Sequence, residues 1–206
     1  MAETLVDSSA REERWTALGP PRRLRADEVL RMVEAGLLED ERVELLDGVL
    51  YPVSPQGPEH AASTVWLREL LQARYGRAVC CYDHSSFHLD GVSLPEPDLA
   101  LVRGSVLDYR GRLPRPGDVV MLVEISQTSQ RRDRAKAALY ASGAVPVYWR
   151  LDLPSATLEV FEAPESGAYT RRRVYGDGDL VPLPERADTL AVSELLRASR
   201  LEPAAG

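Results

Sequence analysis

Apolar residues recur along the chain at two periods. From Ala26 the stretch ADEVLRMVEAGL sets Val29, Leu30 and Val33 at helical spacing, with Gly36 as a stop. In VELLDGVLYPV two apolar runs flank Asp47-Gly48, a dipeptide that tolerates the positive φ of a tight turn, so residues 43–46 and 49–53 are expected to pair as a hairpin. SPQGPEH reads as a loop, and residues 60–75, with Val65, Trp66, Leu70 and Leu71 and no breaker, as a second helix. Apolar segments follow over 78–89, 97–102 and 119–126. The last, VVMLVEIS, is apolar on both faces apart from Glu124, the pattern of a central strand covered by helices on both sides. SQRRDRAKAALYASG predicts a helix capped by Ser129 and ended by Gly143, with Ala135, Leu139 and Tyr140 along one side. VPVYWRLD, TLEVFEA and AYTRRRVY predict short strands, and SELL a last helical turn. Strands mixed with two or three helices predict an α/β (α+β) chain around one sheet, with residues 1–20 a disordered lead and 21–200 one domain.

Composition narrows the class. With 206 residues, 44% apolar and 28% charged, the chain has ordinary globular usage and room for one full core. It has no run of 18 apolar residues, and its polar N-terminus lacks a signal-peptide core, so a cytoplasmic location is expected. Cys80 and Cys81 are adjacent, would point to opposite faces of a strand, and read as reduced thiols. The formal net charge of −7 argues against binding nucleic acid by bulk electrostatics. Any such contact must be local, at arginine clusters such as Arg22/Arg23/Arg25, Arg110/Arg112/Arg115, Arg131/Arg132/Arg134 or Arg171/Arg172/Arg173, each of which equally suits a solvated face.

Charges inside apolar segments carry the candidate chemistry. Glu124 lies within the most buried-looking strand, where a carboxylate is costly without a partner. Asp98 opens the strand of PEPDLALV, and Glu44 sits between Val43 and Leu45. Carboxylates that converge repel one another unless a proton or hard cation lies between them, and Mg²⁺ suits one or two carboxylates completed by water. Lys136 is the only lysine among 25 basic residues, and a strand-to-helix crossover could return its ammonium to the end of the Glu124 strand. There a flexible point charge can orient a water in a way that arginine's planar fork cannot. Plainer readings fit the same spacing: a surface ion pair between Asp133 and Lys136, a strand-start acid at Asp98, a solvent-facing hairpin charge at Glu44. His60, just before the second helix, could border the site but is more simply read as a solvent-facing or capping residue. Zinc at His84 and His88 is disfavoured, because in a strand they would stand about 13 Å apart. No P-loop and no G-x-S-x-G elbow occurs. A glycosidase using Glu44 and Glu124 would leave Asp98 and Lys136 without a role.

In this order the acids and the lysine resemble the PD-(D/E)XK nuclease superfamily and, more narrowly, the Uma-type family of bacterial proteins classed as restriction endonucleases. The matching segments are VELLDGVLYPVSP, PEPDLALV, VVMLVEISQTSQRRDRAKAALYASGAVPVYWRLD and LEVF, within residues 26–165. The resemblance implies a restriction-endonuclease-like core, a mixed sheet flanked by helices with an N-terminal helix and hairpin. It implies Asp98 and Glu124 as metal ligands joined by the Ile125 carbonyl, Glu44 as a helper acid, and Mg²⁺, replaceable by Mn²⁺, in phosphodiester hydrolysis of nucleic acid, with DNA the expected substrate. Ser126 stands where the lysine of E-x-K belongs, and Lys136 on the next helix takes that place. Ser126 and Gln127 more simply mark a polar strand end. A homodimer would offer one site to each strand of a duplex. The competing reading is a catalytically silent member of the fold that binds nucleic acid or a protein partner, which the net charge favours. Convergence of Asp98, Glu124 and Lys136 beside a groove would discriminate between them.

Overall fold

The computed structural model describes residues 19–127 and 130–200, the side chains of residues 130–134 apart. Most of the expected N-terminal lead, the expected Ser129 cap and the side chains of Arg131, Arg132 and Arg134 therefore lie outside the described residues. Helix α1 (Ala26–Glu34) precedes a hairpin of β1 (Val43–Leu46) and β2 (Val49–Pro52). Both turn residues take positive φ, Asp47 at 48° and Gly48 at 77°, the geometry that matches a two-residue turn to the twist of its strands. A Cβ at Gly48 would come within 2.4 Å of the Arg23 side chain, so the position also needs glycine for space.

Helix α2 (Pro58–Tyr75) starts inside the segment expected as a loop. Pro58 is its first residue, where a missing N–H costs nothing and the fixed φ suits a helix start. His60 thereby falls within its first turn. The main sheet follows, with β3 (Val79–Asp83), β4 (Leu99–Arg103), β5 (Val119–Ser126), β6 (Val147–Asp152), β7 (Thr157–Glu165) and β8 (Ala168–Tyr175) side by side in that order. Only β5 and β6 run parallel, and α3 (Gln130–Ser142) makes the crossover between them. The apolar segment 78–89 gives a strand only as far as Asp83, because His84 takes a positive φ of 44° and leaves the ladder. A small hairpin of β9 (Leu180–Pro182) and β10 (Thr189–Ala191), not expected from the pattern, leads into the short helices α4 (Val192–Leu195) and α5 (Arg197–Arg200).

Helices cover the sheet on two faces. Leu67, Leu71 and Tyr75 of α2 pack with Leu99, Leu101, Met121, Val123 and Ile125, and Val181, Leu190 and Leu195 extend this core. Ala137, Leu139 and Tyr140 of α3 pack with Ala100, Val102, Leu122 and Tyr148. Ala135, expected on that stripe, is exposed instead. A β-bulge between β4 and β5 resets the alternation, so that Val119 shares a face with Leu122 while Val120 joins Met121. The hairpin is docked through Leu45, which packs with Ala26, Val29 and Leu94 and exchanges two backbone hydrogen bonds with Leu94. That docking brings β1 alongside the chain entering β4. Among the described residues no helix is long and apolar enough to cross a membrane.

Candidate active site

The carboxyl end of β5 is where the charged side chains meet. Glu124, on the last turn of the pleat, is 6% exposed and faces α3. The helix runs back across it and sets Lys136 and Tyr140, one turn apart and hence on one face, against a single oxygen. Lys136 Nζ donates to Glu124 Oε1 at 2.9 Å and the Tyr140 hydroxyl to the same oxygen at 2.6 Å. Lys136 also stands 3.3 Å from Glu44 Oε2. Glu44, expected as a solvent-facing hairpin charge on the plainer reading, is 2% exposed and accepts the Glu96 backbone N–H at 3.3 Å. Lys136 is likewise buried, so a surface ion pair does not account for it.

Asp98 enters from the start of β4. Its Oδ2 accepts the Ile125 backbone N–H at 2.7 Å, and its Oδ1 accepts from Gln56 Nε2 at 3.0 Å. His60 Nε2 lies 3.1 Å from Asp98 Oδ2 and 3.0 Å from the Ile125 carbonyl oxygen. His60 is thus buried within the site, contrary to the solvent-facing or capping role expected of it. His84 completes this side, 3.6 Å from Asp98 Oδ1 and 3.2 Å from Gln56 Nε2. The structure therefore brings Glu44, Asp98, Glu124 and Lys136 to one cavity of about 200 Å³, with Gln56, His60, His84 and Arg42 also in its wall. Ser126, in the usual place of the lysine, is buried at the end of β5. Gln127 donates to Glu59 at 2.7 Å.

Electrostatics sort these groups by role. Burial pushes the Glu124 carboxyl up to about 7; Lys136 pulls against this, and the charge of Asp98 adds to it. Burial alone would depress the Lys136 ammonium, but Glu124 and then Glu44 hold it well above the ordinary lysine range. The lysine is therefore a fixed cation and a donor, and the proton uncertainty of the pair sits on Glu124. For His60, burial opposes the charged form, and Asp98 next to the ring outweighs it and raises the imidazole.

Among the described residues no three His, Cys, Asp or Glu side chains are grouped to hold a metal ion by themselves. The oxygen donors at hand, the Asp98 and Glu124 carboxylates and the Ile125 carbonyl, instead suit a hydrated Mg²⁺, which keeps several waters and takes one or two carboxylates. The Glu124 carboxyl, raised by burial and by a second acid, is one that a divalent cation would relieve. Segment 84–89 is not a strand, so the spacing argument against zinc does not hold there, and His88 is not in the wall of the cavity. Cys80 and Cys81 are free thiols packed toward opposite cores, and burial pushes Cys81 up to about 12.

A six-stranded mixed sheet with helices on both faces, one parallel pair, and acids at the end of that pair is a restriction-endonuclease-like nuclease fold. The chain belongs to the Uma2 family, described as "putative restriction endonuclease", whose model matches residues 26–193. Its structure is similar to that of "a putative nuclease belonging to DUF820" from Anabaena variabilis, with a TM-score of 0.61 at 17% identity over 78% of this chain and 92% of that one. A second similarity, TM-score 0.40 at 15% identity, is to the type IIG restriction endonuclease BpuSI, over 75% of this chain and 17% of that one. No curated protein matches the sequence at a significant level.

Proposed function

We propose that the chain is a Mg²⁺-dependent endonuclease that hydrolyses phosphodiester bonds of DNA. The observation that carries this reading is the lone lysine, buried with its amine 2.9 Å from Glu124 and 3.3 Å from Glu44 at a cavity that Asp98 also lines. Burying an ammonium is costly, and this one is held between two acids at the wall of an open cavity, where a scaffold with no chemistry to perform has least use for it. Asp98, Glu124 and the Ile125 carbonyl would hold the ion, which supplies charge stabilisation at the phosphoryl oxygens and activation of water when bound.

The chain's own residues hold and aim the reacting groups. Tyr140 and Lys136 pin Glu124 by one oxygen, leaving its other oxygen without a hydrogen bond from the described residues. The Ile125 N–H, Gln56 and His60 fix Asp98 from three sides. Lys136, kept protonated by its two carboxylates, orients the attacking water and steadies charge on the phosphate, and acts as a donor and not as a base. Attack forms one P–O bond and breaks another, leaving a phosphomonoester and a hydroxyl.

Supercoiled plasmid incubated with Mg²⁺ or Mn²⁺ tests the reading. The wild type is expected to nick and linearise it, and Asp98→Asn, Glu124→Gln and Lys136→Met to lose about 100-fold or more. Absence of cleavage of every DNA and RNA form, or full activity in Asp98→Asn, overturns it.

A further inference from the structure

A second cavity, of about 470 Å³, shares Lys136 with the first and is walled by Arg23, Leu46, Asp47, Tyr51, Ala135 and Leu139. Strand alternation explains how it forms. Leu45 turns into the small core under α1, so Glu44 and Leu46 turn the other way, toward α3. The hairpin register sets Tyr51 directly opposite Glu44 and Val49 opposite Leu46, which places all four on that same face. Glu44 closes on Lys136, while Tyr51, one strand further out, remains 44% exposed. Among the described residues its ring has no aromatic partner and its hydroxyl no hydrogen bond. The Arg23 guanidinium is fixed at the rim by donating to the Asp47 carbonyl oxygen.

We propose that this second cavity binds one unpaired nucleobase of the strand whose phosphodiester occupies the first. The proposal rests on the nuclease reading and adds a substrate class to it, nucleic acid that is single-stranded beside the scissile phosphate. A nucleobase has two apolar faces and a polar edge. The cavity offers the Tyr51 ring with Leu46, Leu139 and Ala135 for the faces, and Arg23 and Asp47 as donor and acceptor for the edge. Its volume falls within the range of about 300–1,000 Å³ usual for small-molecule sites. Lys136 lines both cavities, so the second opens beside the site proposed for the reacting phosphate. A base within a duplex is stacked above and below and cannot enter, so the site selects unpaired strands. Stacking on an aromatic side chain accepts any base, and recognition is accordingly tolerant of sequence.

The test is binding of an oligonucleotide carrying 2-aminopurine, read without divalent cation so that cleavage does not intervene. The single strand is expected to bind the full chain more tightly than the same strand in a duplex, with quenching of 2-aminopurine fluorescence. Tyr51→Ala should weaken binding about ten- to hundred-fold and abolish the quenching, and Tyr51→Phe should retain both. Ala135→Trp, at an exposed position, fills the cavity from the α3 side with every hairpin residue unchanged and should weaken binding to a similar extent. Equal affinity for single strand and duplex, or wild-type affinity and quenching in Tyr51→Ala, overturns the proposal. Cleavage of single-stranded and duplex DNA at equal rates removes this subsite and leaves the nuclease reading. Binding that depends on Tyr51 in a chain that cleaves nothing does the reverse.

Discussion

The two faces of the central sheet follow different rules. Toward α2, Leu99, Leu101, Met121, Val123, Ile125, Trp149 and Leu151 form a surface that is apolar from end to end. Toward α3 the same strands are apolar through Leu122 and Tyr148 and then run into Glu124, Ser126, Arg150 and Asp152, none more than 6% exposed. The change falls at the carboxyl ends of β5 and β6, the one parallel pair, where Glu124 lies beside Arg150 in register. Each charge is matched: Glu124 by Lys136 and Tyr140, Arg150 by Glu159 at 2.8 Å and Asp152 at 3.3 Å. Because successive residues of a strand point to opposite faces, β5 anchors the fold with one set of side chains and carries chemistry with the other.

If the α3 face is organised around charge, the largest effect should come from breaking a pair there. Lys136→Met leaves Glu124 and Glu44 buried without their shared ammonium and should cost about 3–5 kcal/mol in urea unfolding, together with loss of cleavage. Adding Glu124→Gln should restore part of the stability and none of the activity, since a neutral amide beside a methionine removes one buried charge and also one proposed ligand. A double variant no more stable than Lys136→Met would mean that the pair is not what holds this face. On the α2 face the expectation is the opposite. Leu71→Ala deletes a fully buried side chain and should cost about 2–5 kcal/mol, with cleavage per folded molecule unchanged. A comparable loss of stability with activity also lost would show that the two faces are not separable.

This division was only half legible in the sequence. Glu44, Asp98 and Glu124 stood out as charges within or at the start of apolar runs, where the cost of burial demands a partner, and Lys136 as the only lysine among 25 basic residues. Gln56, His60 and His84 gave no such signal. Gln56 belongs to a connecting segment with no periodicity to break, His84 was placed in a strand that in fact ends at Asp83, and His60 was placed at the edge of a helix that in fact begins at Pro58. Tyr140 was visible as a member of the α3 stripe, where its ring does pack with Tyr148, but nothing in a helical repeat tells that its hydroxyl reaches Glu124. The hairpin turn at Asp47-Gly48 was readable because its chemistry is local. The hairpin of β9 and β10 was not, since three-residue strands are too short to show a period.

A smaller change, with a definite sign, tests whether Glu124 is the residue in which the two rules collide. Its folded-state pKa of about 7 lies above the ordinary 4.5, so between these values the folded chain keeps a proton that the unfolded chain has released. Stability from this group is therefore fully present below about 4.5 and is lost as pH rises through 7. In metal-free protein the urea midpoint should fall across that window, and Glu124→Gln, which cannot titrate, should flatten the fall. Mg²⁺ should act against it most at the alkaline end, where the carboxylate is charged and a cation gains most by binding, and cleavage should rise through the same window. A wild-type midpoint that climbs from pH 4.5 to 7, or a fall that survives unchanged in Glu124→Gln, would place the buried proton elsewhere and leave the α3 face without its proposed ligand.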